Sequence, residues 1–151
     1  MAERRFSARV VIAREPARVF AWVADHRNVP AVLEGVSRWL PLGRSTGQGA
    51  RFDVAMHALG LPLESVLVLD TWEEPAAIGW RSESGAIAQT GNWRFRPVAD
   101  GTEVTLTIRY MAPGGVIGGL VAGRVDGMVR ARLARALERM KAILEAEPEA
   151  G

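Results

Sequence analysis

The sequence predicts an α+β fold in which one curved antiparallel sheet of seven strands wraps around a long C-terminal helix, with two short helices between strands 1 and 2. Apolar and polar residues alternate over seven short segments, the period-two pattern of strands with one wet face. The connections between the last six segments are too short for parallel crossovers, so neighbours must run antiparallel. After Pro113 the apolar period changes to 3.6 and holds to about Glu145. A half-wet sheet and one amphipathic helix must bury their apolar sides against each other, which gives the two layers. The 151 residues contain no internal repeat and no linker-like stretch, so residues 1–151 are read as one domain.

In strand 1, Phe6, Ala8, Val10 and Ile12 alternate with Arg5, Ser7, Arg9 and Val11. Pro16 suits the first turn of a helix, and Val19, Phe20 and Val23 recur at helical spacing until Asp25-His26-Arg27-Asn28 interrupts them. A second short helix, 29–34, ends at Gly35. Strands are expected at 36–42, 50–58, 63–73, 77–83, 86–96 and 102–111. Gly60-Leu61-Pro62, Glu74-Pro75, Ser84-Gly85 and Asp100-Gly101 supply turns between them. One helix cannot fill the concave side of a strongly bent sheet, so a cavity is expected between the two layers.

Composition removes several chemistries. Without cysteine there are no disulfides, thiolate nucleophiles, Cys-ligated zinc or iron–sulfur clusters. No Gly-x-Ser-x-Gly or His-Glu-x-x-His spacing occurs, and Gly47-Gln48-Gly49 precedes a strand instead of a helix that could hold a phosphate. No catalytic residue, metal site or cofactor is therefore assigned. Basic charge comes from eighteen arginines and Lys141 against seventeen acids, a net charge of +2. Arg5, Arg9, Arg51, Arg81, Arg94, Arg96 and Arg109 fall on the outer strand faces, interleaved with Asp53, Glu64, Glu83 and Glu103. That is a mixed-sign surface and not a nucleic-acid footprint. Residues 1–9 lead no apolar run of secretion-signal length, and the apolar stretch near 116–123 falls short of the ~18 residues that span a bilayer. The expectation is a cytoplasmic protein, monomer or homodimer, with no integral membrane segment.

The segment Pro16-Ala17-Arg18-Val19-Phe20-Ala21-Trp22-Val23-Ala24-Asp25 after the first strand resembles the START-related helix-grip (SRPBCC) superfamily. Trp72-Glu73-Glu74-Pro75 leading into Ile78-Gly79-Trp80, then Gly91-Asn92-Trp93-Arg94-Phe95-Arg96-Pro97, then Asp100-Gly101-Thr102-Glu103-Val104-Thr105-Leu106 are similar to it as well. The likeness covers about residues 6–145 and is nearest to the polyketide cyclase/dehydrase and lipid-transport branch. It implies a helix-grip fold and a hydrophobic small-molecule ligand held between sheet and helix. These motifs belong to the scaffold, so they speak for fold more than activity.

Strand parity, read from which alternating set carries the charges, selects the cavity lining. It turns Phe52, Val54 and Met56 inward, with Ser65, Leu67 and Leu69, then Ile78, Trp80 and Ser82. Farther on it turns Ile87, Gln89, Trp93 and Phe95 inward, then Val104, Leu106, Ile108 and Tyr110. On the long helix Val125, Met128, Val129, Leu133, Ala136, Met140 and Ile143 form the apolar stripe, with Met128 and Met140 as candidate pocket walls. Arg132 stands beside that stripe; its guanidinium either snorkels to water or offers a fixed cation to a carboxylate, enolate or phenolate. Tyr110 and Gln89 are the candidate hydrogen-bonding groups. The parity of Arg38 is ambiguous, which leaves it as a candidate second cation. His26 and His57 are read as solvated.

Gly115, Gly119, Gly123 and Gly127 recur every fourth residue, a weak stretch that suggests a movable gate, a packing face for a partner helix, or no role. The leading functional reading is non-catalytic binding or carriage of a lipid, isoprenoid, quinone or polyketide-like molecule. The alternatives are a polyketide aromatase/cyclase or dehydratase using Arg132 and Tyr110, and a protein-interaction module.

Overall fold

The computed structural model of the chain describes residues 3–58, 61–85, 87–111 and 119–148. The elements in chain order are β1 (Glu3–Ile12), α1 (Pro16–Ala24), a 3-10 turn (His26–Asn28), α2 (Val29–Val32), β2 (Val36–Pro41), β3 (Arg51–Ala58), β4 (Leu61–Glu73), β5 (Ala77–Gly85), β6 (Gln89–Val98), β7 (Gly101–Met111) and α3 (Gly119–Ala146). All strands join one antiparallel sheet in the order β1-β7-β6-β5-β4-β3-β2. The first strand thus pairs with the last, and the helices between β1 and β2 carry the chain from one sheet edge to the other. This is the predicted α+β helix-grip arrangement. Several boundaries differ from expectation: Leu61 and Pro62 extend β4, Ser84 and Gly85 lie within β5 instead of forming the turn after it, β6 runs from Gln89 to Val98 with Ile87 before it, and α2 ends at Val32. Residues 112–118, with Pro113, Gly114, Gly115 and Gly118 of the suggested gate, lie outside the described residues.

Bulges set the curvature. The β2–β3 register slips between Val36 and Arg38, and the β4–β5 register slips between Val66 and Leu67 and again between Leu69 and Thr71. An unpaired residue bends its strand and reverses the alternation beyond it. Past Asp70, therefore, Trp72 and not Thr71 joins Leu69 on the inner side, where its ring meets Phe20 edge-on at 5.3 Å.

α1 starts at Pro16 and buries Val19, Phe20 and Val23, the three positions selected by helical spacing. Its end is held by Asp25, whose carboxylate accepts from the Arg27 backbone N–H at 3.1 Å and from the Arg27 guanidinium at 2.9 and 2.7 Å. The guanidinium hydrogen bonds pull the Asp25 carboxyl from the usual 3.8 down to about 2. A lowered folded-state pKa adds stability at neutral pH that is lost as pH falls from about 4 towards 2. The stability difference between wild type and Asp25→Ala, followed by urea denaturation across that range, is expected to shrink towards zero; a difference independent of pH would contradict this role.

α3 has two unlike halves. From Leu133 onwards Leu133, Ala136, Leu137, Met140 and Leu144 are fully buried against the sheet. Nearer its start Val125, Met128 and Val129 are only half-buried. Two stripe assignments change: Met140 is core, and Ile143 is 37% exposed while Leu144 takes the buried place. The last turns of α3 rest on the corner between β1 and α1, which faces residues 137, 141, 144 and 145 and leaves position 143 on the open side. The corner grips the helix end: Arg14 donates to the Glu145 and Glu147 carbonyls at 2.8 and 2.7 Å, and Glu145 accepts from the Ala13 N–H at 2.9 Å. These bonds satisfy carbonyls that a helix C-terminus otherwise leaves open.

Candidate ligand-binding cavity

Between the first half of α3 and the concave face of the sheet lies a cavity of about 150 Å³, and a second chamber of about 30 Å³ adjoins it. Leu33, Trp39 and Trp80 border both. The cavity exists because Val125, Met128 and Val129 meet the inward side chains of β3, β4 and β7 without reaching far enough to fill the bend. Its charged lining residues, Glu34, Glu64 and Arg132, also reach solvent. The rest is almost wholly aliphatic and aromatic, so charge marks the rim and not the interior.

Of the candidate lining residues read from the sequence, Arg132, Tyr110, Gln89, Trp80, Leu67, Met128 and Val125 line the larger chamber. Phe52 and Trp93 line the smaller one. Phe95 borders neither: it packs edge-on to Phe20 at 5.7 Å and parallel to Trp93 at 6.5 Å, because α1 covers that end of the sheet. Phe95 is core.

Arg38 is not a pocket cation. An extra residue at Ser37 reverses the alternation, so Val36 and Trp39 turn inward while Arg38 turns outward. There its guanidinium grips Asp53 through two bonds of 3.0 Å and reaches Glu64 at 3.3 Å. Arg132 does border the cavity. Its Nη1 donates to the His57 carbonyl at 2.9 Å, and among the described residues no carboxylate pairs with it. Gly35 makes this approach possible: it sits at φ +84°, and a Cβ there would lie 2.7 Å from the His57 oxygen and 2.8 Å from Arg132 Nη1.

The Tyr110 hydroxyl is already engaged, donating to Asp126 at 3.1 Å across to α3, while its ring stacks on Phe6 at 5.9 Å. Burial first, then the Asp126 hydrogen bond, push its pKa up to about 12. Tyr110 is thus a weaker acid than a free phenol and already holds an acceptor, a poor starting point for proton transfer. Gln89 lines the larger chamber, and its backbone N–H donates to Ser82 Oγ at 2.9 Å, while Ser82 borders neither chamber.

Sequence reasoning left out several lining residues, Leu33, Trp39, Trp72 and His26 among them. Trp39 is hidden by the bulge at Ser37, which no residue pattern marked. His26, read as solvated, turns its ring to within 6.0 Å of Phe52 and lines the smaller chamber. No helix among the described residues is long and apolar enough to cross a membrane.

A curved antiparallel sheet gripping one long helix over an apolar cavity defines a START-related ligand-binding fold. The chain belongs to the polyketide cyclase/dehydrase and lipid transport family, whose pattern it matches over residues 3–145. Among solved structures it is similar to TTHA0849 from Thermus thermophilus, at 22% identity and a TM-score of 0.83, covering 96% of this chain and 100% of that one. A START superfamily protein from Mycobacterium smegmatis follows at 16% identity and TM-score 0.74, covering 94% and 97%. BexL, a di-domain ARO/CYC from the BE-7585A biosynthetic pathway, aligns at 19% identity and TM-score 0.71 over 97% of this chain and 51% of its own length. At these identities the likeness establishes the fold alone. No curated protein matches the chain in sequence.

Proposed function

We propose that this protein, as a single ligand-binding domain, binds or carries a hydrophobic small molecule in the cavity between sheet and α3. The observation that carries the reading is the lining itself: an apolar interior with charged groups only at its edge. An apolar space of about 150 Å³ takes a single aromatic ring as it stands; a lipid- or polyketide-sized ligand requires the walls to move apart. The driving force is burial of apolar surface at about 25 cal/mol per Å². Arg132 and Gln89 supply the polar contacts that orient a ligand.

The direct test is native mass spectrometry of the protein as expressed, followed by titration with ethylbenzene. The expected Kd for so small a probe is on the order of 0.1–1 mM. Met128→Trp, which fills the cavity from α3, is expected to weaken binding at least ~10-fold with the fold retained. Absence of any bound species together with undetectable ethylbenzene binding, or equal binding by Met128→Trp, would overturn the proposal.

The second reading, a polyketide aromatase/cyclase or dehydratase, draws on family membership and on the guanidinium of Arg132, a cation at the cavity edge able to stabilise an enolate. Turnover of a poly-β-ketone that disappears in Arg132→Ala would favour it over simple carriage.

A further inference from the structure

Two residues that line the smaller chamber each carry a buried polar atom that the fold leaves without a partner among the described residues. Trp80 is 5% exposed, and its indole Nε1 is buried with no hydrogen-bond partner among the described residues. His26 Nδ1 is buried and unpaired in the same way. Both residues line the smaller chamber, and Trp80 also stands in the wall of the larger one. Ser45 adds a hydroxyl; apart from these, the lining is apolar, including Phe52 and Trp93.

Buried N–H groups without a partner are rare, because each costs the desolvation it cannot recover. Two such atoms on residues of one chamber point to a polar ligand group within reach of both. An indole N–H can only donate, whereas an imidazole nitrogen can accept or donate according to its protonation. A hydroxyl answers both at once: its oxygen accepts from Trp80, and its proton goes to His26 Nδ1. About 30 Å³ is the room of one such group and excludes a ring.

We infer that the smaller chamber is a hydroxyl-binding subsite, and that the ligand is an apolar molecule with an alcohol or phenol at one end. Its body fills the larger chamber and its hydroxyl passes Trp80 into the smaller one. This inference rests on the cavity reading above and adds the chemical class of the ligand's end group. A carriage site so built selects a hydroxylated compound over its hydrocarbon analogue, which apolar burial alone would never do.

Ethylbenzene and benzyl alcohol test it, since they differ by a methyl against a hydroxyl at nearly constant shape. Affinities for both are measured by titration calorimetry on the wild type, on Trp80→Phe, which removes the N–H, and on His26→Leu. The affinity of benzyl alcohol relative to ethylbenzene is expected to fall about tenfold or more in each variant, because the hydroxyl then loses a partner. The Trp80 indole N–H resonance of the wild type is expected to shift on adding benzyl alcohol and to stay in place with ethylbenzene. Should Trp80→Phe fail to fold, His26→Leu and the resonance carry the test.

An unchanged affinity ratio in the folded variants, with ethylbenzene still bound, would overturn the subsite and leave the cavity reading intact. A water held permanently by the two groups produces that same outcome. Failure of the wild type to bind either compound would overturn both.

Discussion

Phe20→Ala is expected to lower the unfolding free energy by about 3–5 kcal/mol, read from urea denaturation. Phe20 is 1% exposed and meets Trp72 at 5.3 Å and Phe95 at 5.7 Å, both edge-on, so its ring is the contact through which α1 is seated on the sheet. Removing it leaves a void beside two aromatic residues, Trp72 and Phe95, too rigid to collapse into it. Phe20 borders neither chamber, so ligand binding by the remaining folded protein should be nearly unchanged. A loss under about 1 kcal/mol would show that α1 is seated by something else.

Gly91→Ala is the second large effect, and it acts on the cavity wall. Trp80 pairs with Gly91 across β5 and β6, and its ring lies over the glycine so closely that an added Cβ would stand 2.1 Å from the indole. The ring must leave, since no Cβ occurs that near another heavy atom. Overpacking of this kind costs about 1–3 kcal/mol, and here it also displaces the residue shared by both chambers. Stability and ethylbenzene affinity are therefore expected to fall together. In a Trp80→Leu background the same substitution should cost much less; an equal cost in both backgrounds would refute the ring-over-glycine explanation.

The elements were legible where one physical signal acted alone. Val19, Phe20 and Val23 could be placed on the buried face of α1 because helical spacing has no rival in that stretch, and β3 read correctly because Arg51 and Asp53 alternate with Phe52 and Val54. Parity failed at the bulges. Arg38 and Trp39 each lie beyond Ser37, and the residue that bulges is decided by pairing with β3, which is remote in sequence. Phe95 was turned to the correct side of β6, but whether an inward residue meets a cavity or a helix depends on where α1 lies. His26 failed for the same reason: a polar residue in a connection reads as wet until the neighbouring elements close around it. The apolar character of the site was thus evident from composition and parity, whereas its two unpaired polar atoms emerged only from three-dimensional packing.

The sheet order, with β1 beside β7, has a consequence for how the chain reaches its folded state. β2 to β7 form a meander of neighbouring hairpins that can pair as they meet, but β1 joins the sheet through contacts such as Phe6 with Ile108, about a hundred positions apart. Contacts so distant close late and slow the search, placing such topologies towards the millisecond-to-second range. α3 is gripped by the corner that follows β1, so it too is fixed only when the two ends of the chain have met. The chamber between sheet and α3 is accordingly expected to close late. A ligand present during folding would encounter an open trough before a closed room, and would be enclosed by the final docking event without having to pass through a finished wall.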